Sequence, residues 1–282
     1  MLTRVEEPAL AKVNLSLHVT GRRADGYHLL DSLVVFADCG ERVRAEMCDG
    51  PAELRVTGPL ADGVPEDETN IVLKAAALIK PLPRVSFHLH KTLPMEAGIG
   101  GGSSDAAAAL RVLTKLTGAD LPPLAKISAL GADIPVCLMS KPQRMRSIGE
   151  HLADITTLPD FFLLLVNPGI ALPTGKVFSA MSRRRNAPME PVLPRWQDLS
   201  EFADWLSTQR NDMEDAACAL APAIHEVLDA IVRQPGCLMA RMSGSGATCF
   251  GIFENRVPAE AGARELSKMP GWWVHAAPAA VT

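Results

Sequence analysis

The chain has 282 residues, enough for one large or two ordinary domains with a sizeable core. Its composition, 48% hydrophobic and 21% charged, is that of a globular protein, and a formal charge of −4 gives no basic footprint for nucleic acid. No apolar run approaches a membrane span, and the N-terminal Met-Leu-Thr-Arg-Val-Glu-Glu lacks an apolar signal core, so no membrane partner is expected and the cytoplasm is the expected compartment.

In chain order, residues 9–19 alternate as a strand should. Val13, Leu15, Leu17 and Val19 face one way, and Lys12, Asn14, Ser16 and His18 the other. That polar face suits either solvent or a site. Next come Gly21-Arg-Arg-Ala-Asp-Gly-Tyr27-His28, where the chain's single tyrosine stands beside a histidine in a glycine-flanked turn. The pair serves packing, or stacks on a planar ligand and reads its edge. Strands are predicted over 32–37, 42–47 and 52–57, then a helix over 70–80 stopped by Pro81.

The strand predicted over 85–90 leads into Pro94-Met-Glu-Ala-Gly-Ile-Gly-Gly-Gly-Ser-Ser104 and an alanine-rich helix to about Leu116. A glycine cluster that opens a helix can aim successive N–H groups at one anion, and the helix dipole adds to the attraction. The dinucleotide pattern G-x-G-x-x-G fails at Ser103, and the only Gly-Lys pair, Gly175-Lys176, is followed by Val177 rather than Ser or Thr. A flexible turn is the plainer alternative, but it does not call for so many glycines beside two serines.

A short helix from Pro122 ends near Gly131, ahead of Ala132-Asp133-Ile134-Pro135. Asp133 makes a structural turn there, or it is a carboxylate that orients or deprotonates a hydroxyl. A boundary is expected near Thr156–Pro159, giving domains 1–157 and 158–282. Beyond it come a strand over 161–166, a helix over 174–181, a proline-rich connector over 188–194, and helices over 199–207 and 223–234. Strands over 237–242 and 248–253 flank Ser243-Gly-Ser-Gly246, which is a tight hairpin or part of the phosphate site. A helix over 259–268 and a strand over 272–275 close the chain. The second half is close to βαββαβ, a ferredoxin-like sandwich, and the class is α+β in two domains. The run Arg183-Arg184-Arg185 ends a helix in solvent or meets a substrate phosphate. The six cysteines include no C-x-x-C pair, so structural zinc is not expected and buried free thiols are.

The segments Ala11-Lys-Val-Asn-Leu15, Pro94–Ser104 and Met242-Ser-Gly-Ser-Gly-Ala247 resemble the three signature motifs of the GHMP kinases, which phosphorylate galactose, homoserine, mevalonate and related alcohols. Asp25-Gly26-Tyr27-His28, Ser103-Ser104-Asp105, Gly131–Pro135 and Asn211-Asp212 are similar to the branch acting on a cytidylyl sugar alcohol in non-mevalonate isoprenoid synthesis. The match runs from about Pro8 to Phe253.

The resemblance implies an N-terminal domain like ribosomal protein S5 domain 2 and a ferredoxin-like C-terminal domain. It implies ATP with Mg2+, and as partner a small-molecule cytidylyl sugar-alcohol diphosphate, the protein being a monomer or weak homodimer. Asp133 would be the general base and Lys12 its catalytic partner. Pro94, Met95, Glu96, Ala97, Gly98, Ile99, Gly100, Gly101, Gly102, Ser103 and Ser104 would wrap the ATP phosphates. Tyr27 and Phe178 would sandwich the cytosine, His28 would hydrogen-bond it, and Asn14 and Thr174 would hold the substrate. The Mg2+ ligands stay unassigned.

Two departures stand out. Ser147 replaces a glycine usual in Arg-Gly-x-Gly-Glu and would alter a turn. Glu96 puts a carboxylate where a small residue is usual, and an outward direction is expected for it. A homoserine or mevalonate-type kinase is the nearest rival, and Tyr27, His28 and Phe178 argue against it because those acceptors carry no base. A non-catalytic nucleotide-binding protein is the other, opposed by the presence of both Lys12 and Asp133.

Overall fold

Two long strands open the chain, β1 (Arg4–Arg22) and β2 (His28–Met47). The structure, a computed structural model, describes residues 3–24 and 26–280; Asp25, part of the segment that carries the resemblance, lies outside them. The separate strands predicted over 32–37 and 42–47 are one continuous β2. Gly40 allows this, since a Cβ there would collide with the carbonyl of Ala9. Both strands feed two compact units. The first is residues up to Ala11, Gly40–Met95 and Gly100–Ser140; the second is Lys12–Cys39, Glu96–Ile99 and everything from Lys141.

In the first unit, β4 (Val85–His90) pairs antiparallel with β2 from Arg42↔His90 to Met47↔Val85, and β3 (Glu53–Thr57) runs parallel to β4. Val85, Phe87 and Leu89 are buried on the face that the alternation predicts. Helix α1 (Ile71–Ala76) is capped by Asn70, whose Oδ1 accepts from the Val72 amide at 2.8 Å. It packs on α2 (Gly101–Thr117), whose buried run Ala106–Ala109 lets backbones approach closely. Gly118 ends α2 at φ 73°, its amide donating to the Thr114 carbonyl at 2.9 Å. Helices α3 (Leu124–Leu130) and α4 (Ile134–Met139) follow; the sequence reading missed α4.

In the second unit, β5 (Gln143–Ser147) and β6 (His151–Asp154) form a hairpin, and β5 pairs antiparallel with β2. Then come β7 (Phe162–Asn167), α5 (Thr174–Ala180), α6 (Leu199–Ser207), α7 (Glu214–Leu220), α8 (Ala223–Val232), β8 (Cys237–Met242), β9 (Cys249–Phe253), α9 (Arg256–Leu266) and β10 (Trp273–Ala280). The strands stand in the order β10-β7-β9-β8, all antiparallel, with α8 and α9 packed on them. That is the ferredoxin-like βαββαβ arrangement. Leu163–Val166 of β7 are buried outright, as a continuous apolar run predicts for a central strand. β10 also pairs with β2 at Ala279↔Ala37.

Ser147 keeps the turn rather than altering it. It stands at φ 64°, the left-handed region that suits glycine, and its Oγ donates to Glu150 Oε1 at 2.8 Å. The other Glu150 oxygen accepts from the Ile148 amide at 2.8 Å. The arginine run is mainly a helix end: Arg184 donates to the carbonyls of Phe178 and Ser179, while Arg183 and Arg185 are exposed. All six cysteines are free thiols.

Candidate active site

The polar face of β1 does not meet solvent. Lys12 is only 4% exposed, and Asn14, Ser16 and His18 are buried with it. In the second unit Lys12 Nζ donates to Asn14 Oδ1 at 2.8 Å, and Asn14 Nδ2 donates to Ser32 Oγ at 2.8 Å. Ser32 Oγ in turn donates to the Ser16 carbonyl at 2.6 Å. A buried ammonium needs acceptors held in place, and this chain of donors fixes the amide that supplies one.

Ser243, in the turn between β8 and β9, ties three motifs together. Its Oγ accepts from the Asn14 amide at 3.0 Å and donates to the Gly98 carbonyl at 3.0 Å. Asn211 Nδ2 braces the same turn through the carbonyls of Met242 and Gly244, both at 2.8 Å. So Ser243–Gly246 is more than a hairpin.

Residues 96–99 are bound to this scaffold by their carbonyls. Glu96 accepts from the Leu172 amide, Ala97 from Thr248, Gly98 from Ser243 and Ile99 from Lys12, at 2.9–3.2 Å. In a trans peptide the carbonyl and the following N–H point opposite ways. The amides of residues 97–99 therefore turn away from the scaffold, as an anion cradle requires. Gly98 stands at φ 73°, where a Cβ would collide with the Ser243 carbonyl. Glu96 is exposed at φ 49°.

The residues expected to recognise a base also lie in the second unit. Tyr27 is 54% exposed. The His28 ring, not that of Tyr27, lies on Phe178 of α5, with centroids 4.0 Å apart and planes 4° from parallel. Burial, and then Arg22 and Arg184, lower the His28 pKa, so the imidazole is neutral near pH 7. Its Nε2 is buried with no hydrogen-bond partner among the described residues. Thr174 Oγ1 is 2.8 Å from Ser245 Oγ.

In the first unit Gly100 is the N-cap of α2 at φ 68°, with no side chain closing the helix. The amides of Gly101, Gly102 and Ser103 have no intrahelical carbonyl to meet, and the dipole's positive end lies there. Ser104 Oγ is spent on the Leu10 carbonyl at 2.7 Å. Ser103, by contrast, is partly exposed. Asp133 occupies the N-cap of α4, where its side chain makes no capping hydrogen bond. The sequence reading missed one feature here: Lys91, Glu41 and Asp105 form a buried ion cluster behind α2. The lone Lys after β4 was its only signal.

Among the described residues no group of three or more His, Cys, Asp or Glu could hold a metal ion, and no helix is long and apolar enough to cross a membrane.

The family models "GHMP kinases N terminal domain" and "GHMP kinases C terminal" match residues 70–141 and 189–270. The 4-diphosphocytidyl-2-C-methyl-D-erythritol kinase of Cereibacter sphaeroides is 52% identical over 271 residues, covering 94% of this chain and 96% of that protein. The chain belongs to the GHMP kinase family. A crystal structure of a 4-(cytidine 5'-diphospho)-2C-methyl-D-erythritol kinase superimposes with a TM-score of 0.79 at 31% identity, covering 99% of this chain and 100% of that one. The homoserine kinase of Cytophaga hutchinsonii gives a TM-score of 0.68 at 16% identity, covering 98% and 95%, which is a likeness of fold alone.

Proposed function

We propose that this GHMP kinase transfers the γ-phosphoryl group of ATP to the 2-hydroxyl of 4-diphosphocytidyl-2-C-methyl-D-erythritol, in the non-mevalonate route to isoprenoid precursors, in the cytoplasm. The observation that carries the reading is the 52% identity to a kinase of that name across 94% of the chain. The site agrees with it chemically. A bond forms between the 2-hydroxyl oxygen and the γ-phosphorus, the bond from that phosphorus to the β-phosphate oxygen breaks, ADP leaves, and the hydroxyl proton must go elsewhere.

Phosphoryl transfer asks the protein for in-line placement and charge neutralisation. The loop Pro94–Ser104 wraps the triphosphate. Mg2+, when bound, would neutralise phosphate charge, and it is commonly held by phosphate oxygens and water with few protein ligands. Ser103, partly exposed while the Ser104 hydroxyl is bonded to the Leu10 carbonyl, is the loop side chain that would hold it. Lys12, oriented by Asn14, stabilises charge on the transferring group. Asp133 accepts or orients the hydroxyl proton. Tyr27 and Phe178 stack on the cytosine, the neutral His28 hydrogen-bonds it, and Thr174 helps to hold the substrate. The working unit is a monomer or weak homodimer.

The test is a coupled ADP-release assay with Mg-ATP, comparing the cytidylyl alcohol with the same alcohol lacking its cytidylyl group. Turnover confined to the cytidylyl substrate is expected. Equal turnover on both, or turnover on homoserine instead, would overturn the assignment.

A further inference from the structure

Three buried charged side chains behind the first turn of α2 take no part in the mechanism above. Lys91 Nζ pairs with Glu41 Oε1 and, at 3.0 Å, with Asp105 Oδ2. The side chains of Lys91, Asp105 and Glu41 are 6%, 3% and 0% exposed. The Leu93 amide also donates to Glu41 Oε1, at 3.3 Å. One ammonium does not neutralise two carboxylates, and solvent is excluded from doing the rest.

The remaining oxygens show where the balance is made. Glu41 Oε2 and Asp105 Oδ1 are both buried with no donor among the described residues. Two orphaned acceptors on neighbouring carboxyls are both satisfied by one proton held between them. Burial, and then the charge and hydrogen bond of Asp105, push Glu41 up to about 9, with Lys91 pulling the other way. Among the described residues, Asp105 of α2 and Lys91, just after β4, are the charged groups facing Glu41; Arg42, next to it on β2, is exposed and pairs with Glu6.

The cluster touches the helix turn itself. A Cβ built on Gly101 would stand 3.7 Å from Glu41 Oε2 and 3.9 Å from Lys91 Nζ. We propose that Glu41 is a positioning residue for the phosphate loop, holding a proton shared with Asp105 that keeps the Glu41–Lys91–Asp105 cluster neutral behind the amides of Gly101, Gly102 and Ser103. This rests on the reading that those amides hold the ATP phosphates. While the proton stays, the positive end of α2 meets the triphosphate unopposed. Once it leaves, a net negative charge stands behind the same turn and opposes the nucleotide.

The test uses the full chain and needs no acceptor alcohol. ATP affinity is measured by calorimetry with Mg2+ at about pH 7.5 and about pH 10, and infrared difference spectra report a protonated carboxyl in the absence of nucleotide. Wild type is expected to lose affinity roughly tenfold over that span, centred near the Glu41 value of about 9. Its protonated-carboxyl band should vanish over the same range. Glu41→Gln should lack the band and bind ATP equally at both pH values. Asp105→Asn, which leaves Glu41 as the sole anion for Lys91, should behave likewise and serves should Glu41→Gln not fold. A wild type with no band, or a Glu41→Gln that follows the wild-type pH profile, would overturn the proposal. Absence of ATP binding in every form would instead overturn the nucleotide reading, and the band would still decide whether the proton is shared.

Discussion

The rings of His28 and Phe178 lie face to face, 4.0 Å between centroids and 4° from parallel. His28 thus occupies one face of the ring expected to stack on cytosine. Base stacking on an aromatic is worth about 1–3 kcal/mol. Phe178→Ala should therefore raise KM for the cytidylyl alcohol by roughly ten- to a hundredfold, with KM for ATP and the kcat of bound substrate little changed. Steady-state kinetics with each substrate varied in turn would check this, and a loss confined to kcat would count against a stacking role.

His28 should titrate low. Burial, then Arg22 and Arg184, lower its pKa from 6.5. A histidine depressed in the folded state contributes stability above the unfolded value, and that contribution is lost as pH falls through the folded value. Two-dimensional NMR should give His28 a midpoint below 6.5. The His28→Asn variant should lose less stability than wild type on acidification below that point. A midpoint at or above 6.5 would contradict the environment described here.

Lys12 and Asp133 should separate binding from chemistry. Asp133→Asn is expected to lower kcat by about 10²–10⁴-fold, the range for general acid–base groups, while cytidylyl-substrate affinity changes by less than about threefold. Lys12→Met should lower kcat as well, and should cost stability through the loss of the Nζ to Asn14 bond of 2.8 Å. Turnover in Asp133→Asn within a few fold of wild type would remove that carboxylate from the reaction.

Two glycines of the loop should respond differently to alanine. Gly98 has φ 73° and a Cβ there meets the Ser243 carbonyl, so Gly98→Ala should lower the unfolding free energy by about 1–3 kcal/mol. Gly102 is exposed on α2, and a Cβ there would make only an ordinary contact at 3.8 Å with Ile71. Gly102→Ala should gain up to about 1 kcal/mol in stability, since alanine is the better helix former, yet it should raise KM for ATP because the backbone no longer lets a phosphate come close. Thermal melts beside ATP kinetics distinguish the two, and an unchanged KM in Gly102→Ala would take the ligand away from that turn.

Ser147 offers a simpler check. At φ 64° glycine is unstrained, whereas alanine is strained and loses the Glu150 hydrogen bond. Ser147→Gly should be more stable than Ser147→Ala by about 1–2 kcal/mol in chemical denaturation.

Much of this was legible from residue pattern, and the gaps have physical causes. Alternation over residues 9–19 and 85–90 located β1 and β4, and the glycine cluster before a run of alanines located the start of α2. The pattern could not say that Lys12, Asn14 and Ser16 are buried, because a polar strand face looks the same in water and in a site; only the partners Ser32 and Ser243, distant in sequence, decide it. β5 escaped notice since Gln143-Arg-Met-Arg-Ser reads as surface. Arg144 is buried there because Asp31 takes its guanidinium through two hydrogen bonds of 2.7 and 2.8 Å and the carbonyls of Met189, Glu190 and Pro191 accept from it as well. The Glu41–Lys91–Asp105 cluster was invisible for the same reason: its members come from three separate stretches of the chain.

The place of β10 in the sheet has a consequence for how the sheet is sealed. It stands between β2 and β7, pairing Ala279 with Ala37 on one side and Trp273–Pro278 with β7 on the other. Where that one strand comes away, β2 and β7 both lose ladder partners on the side it fills. Two unpaired edges then open to other chains at once, so the hold on this strand guards against aggregation as well as unfolding.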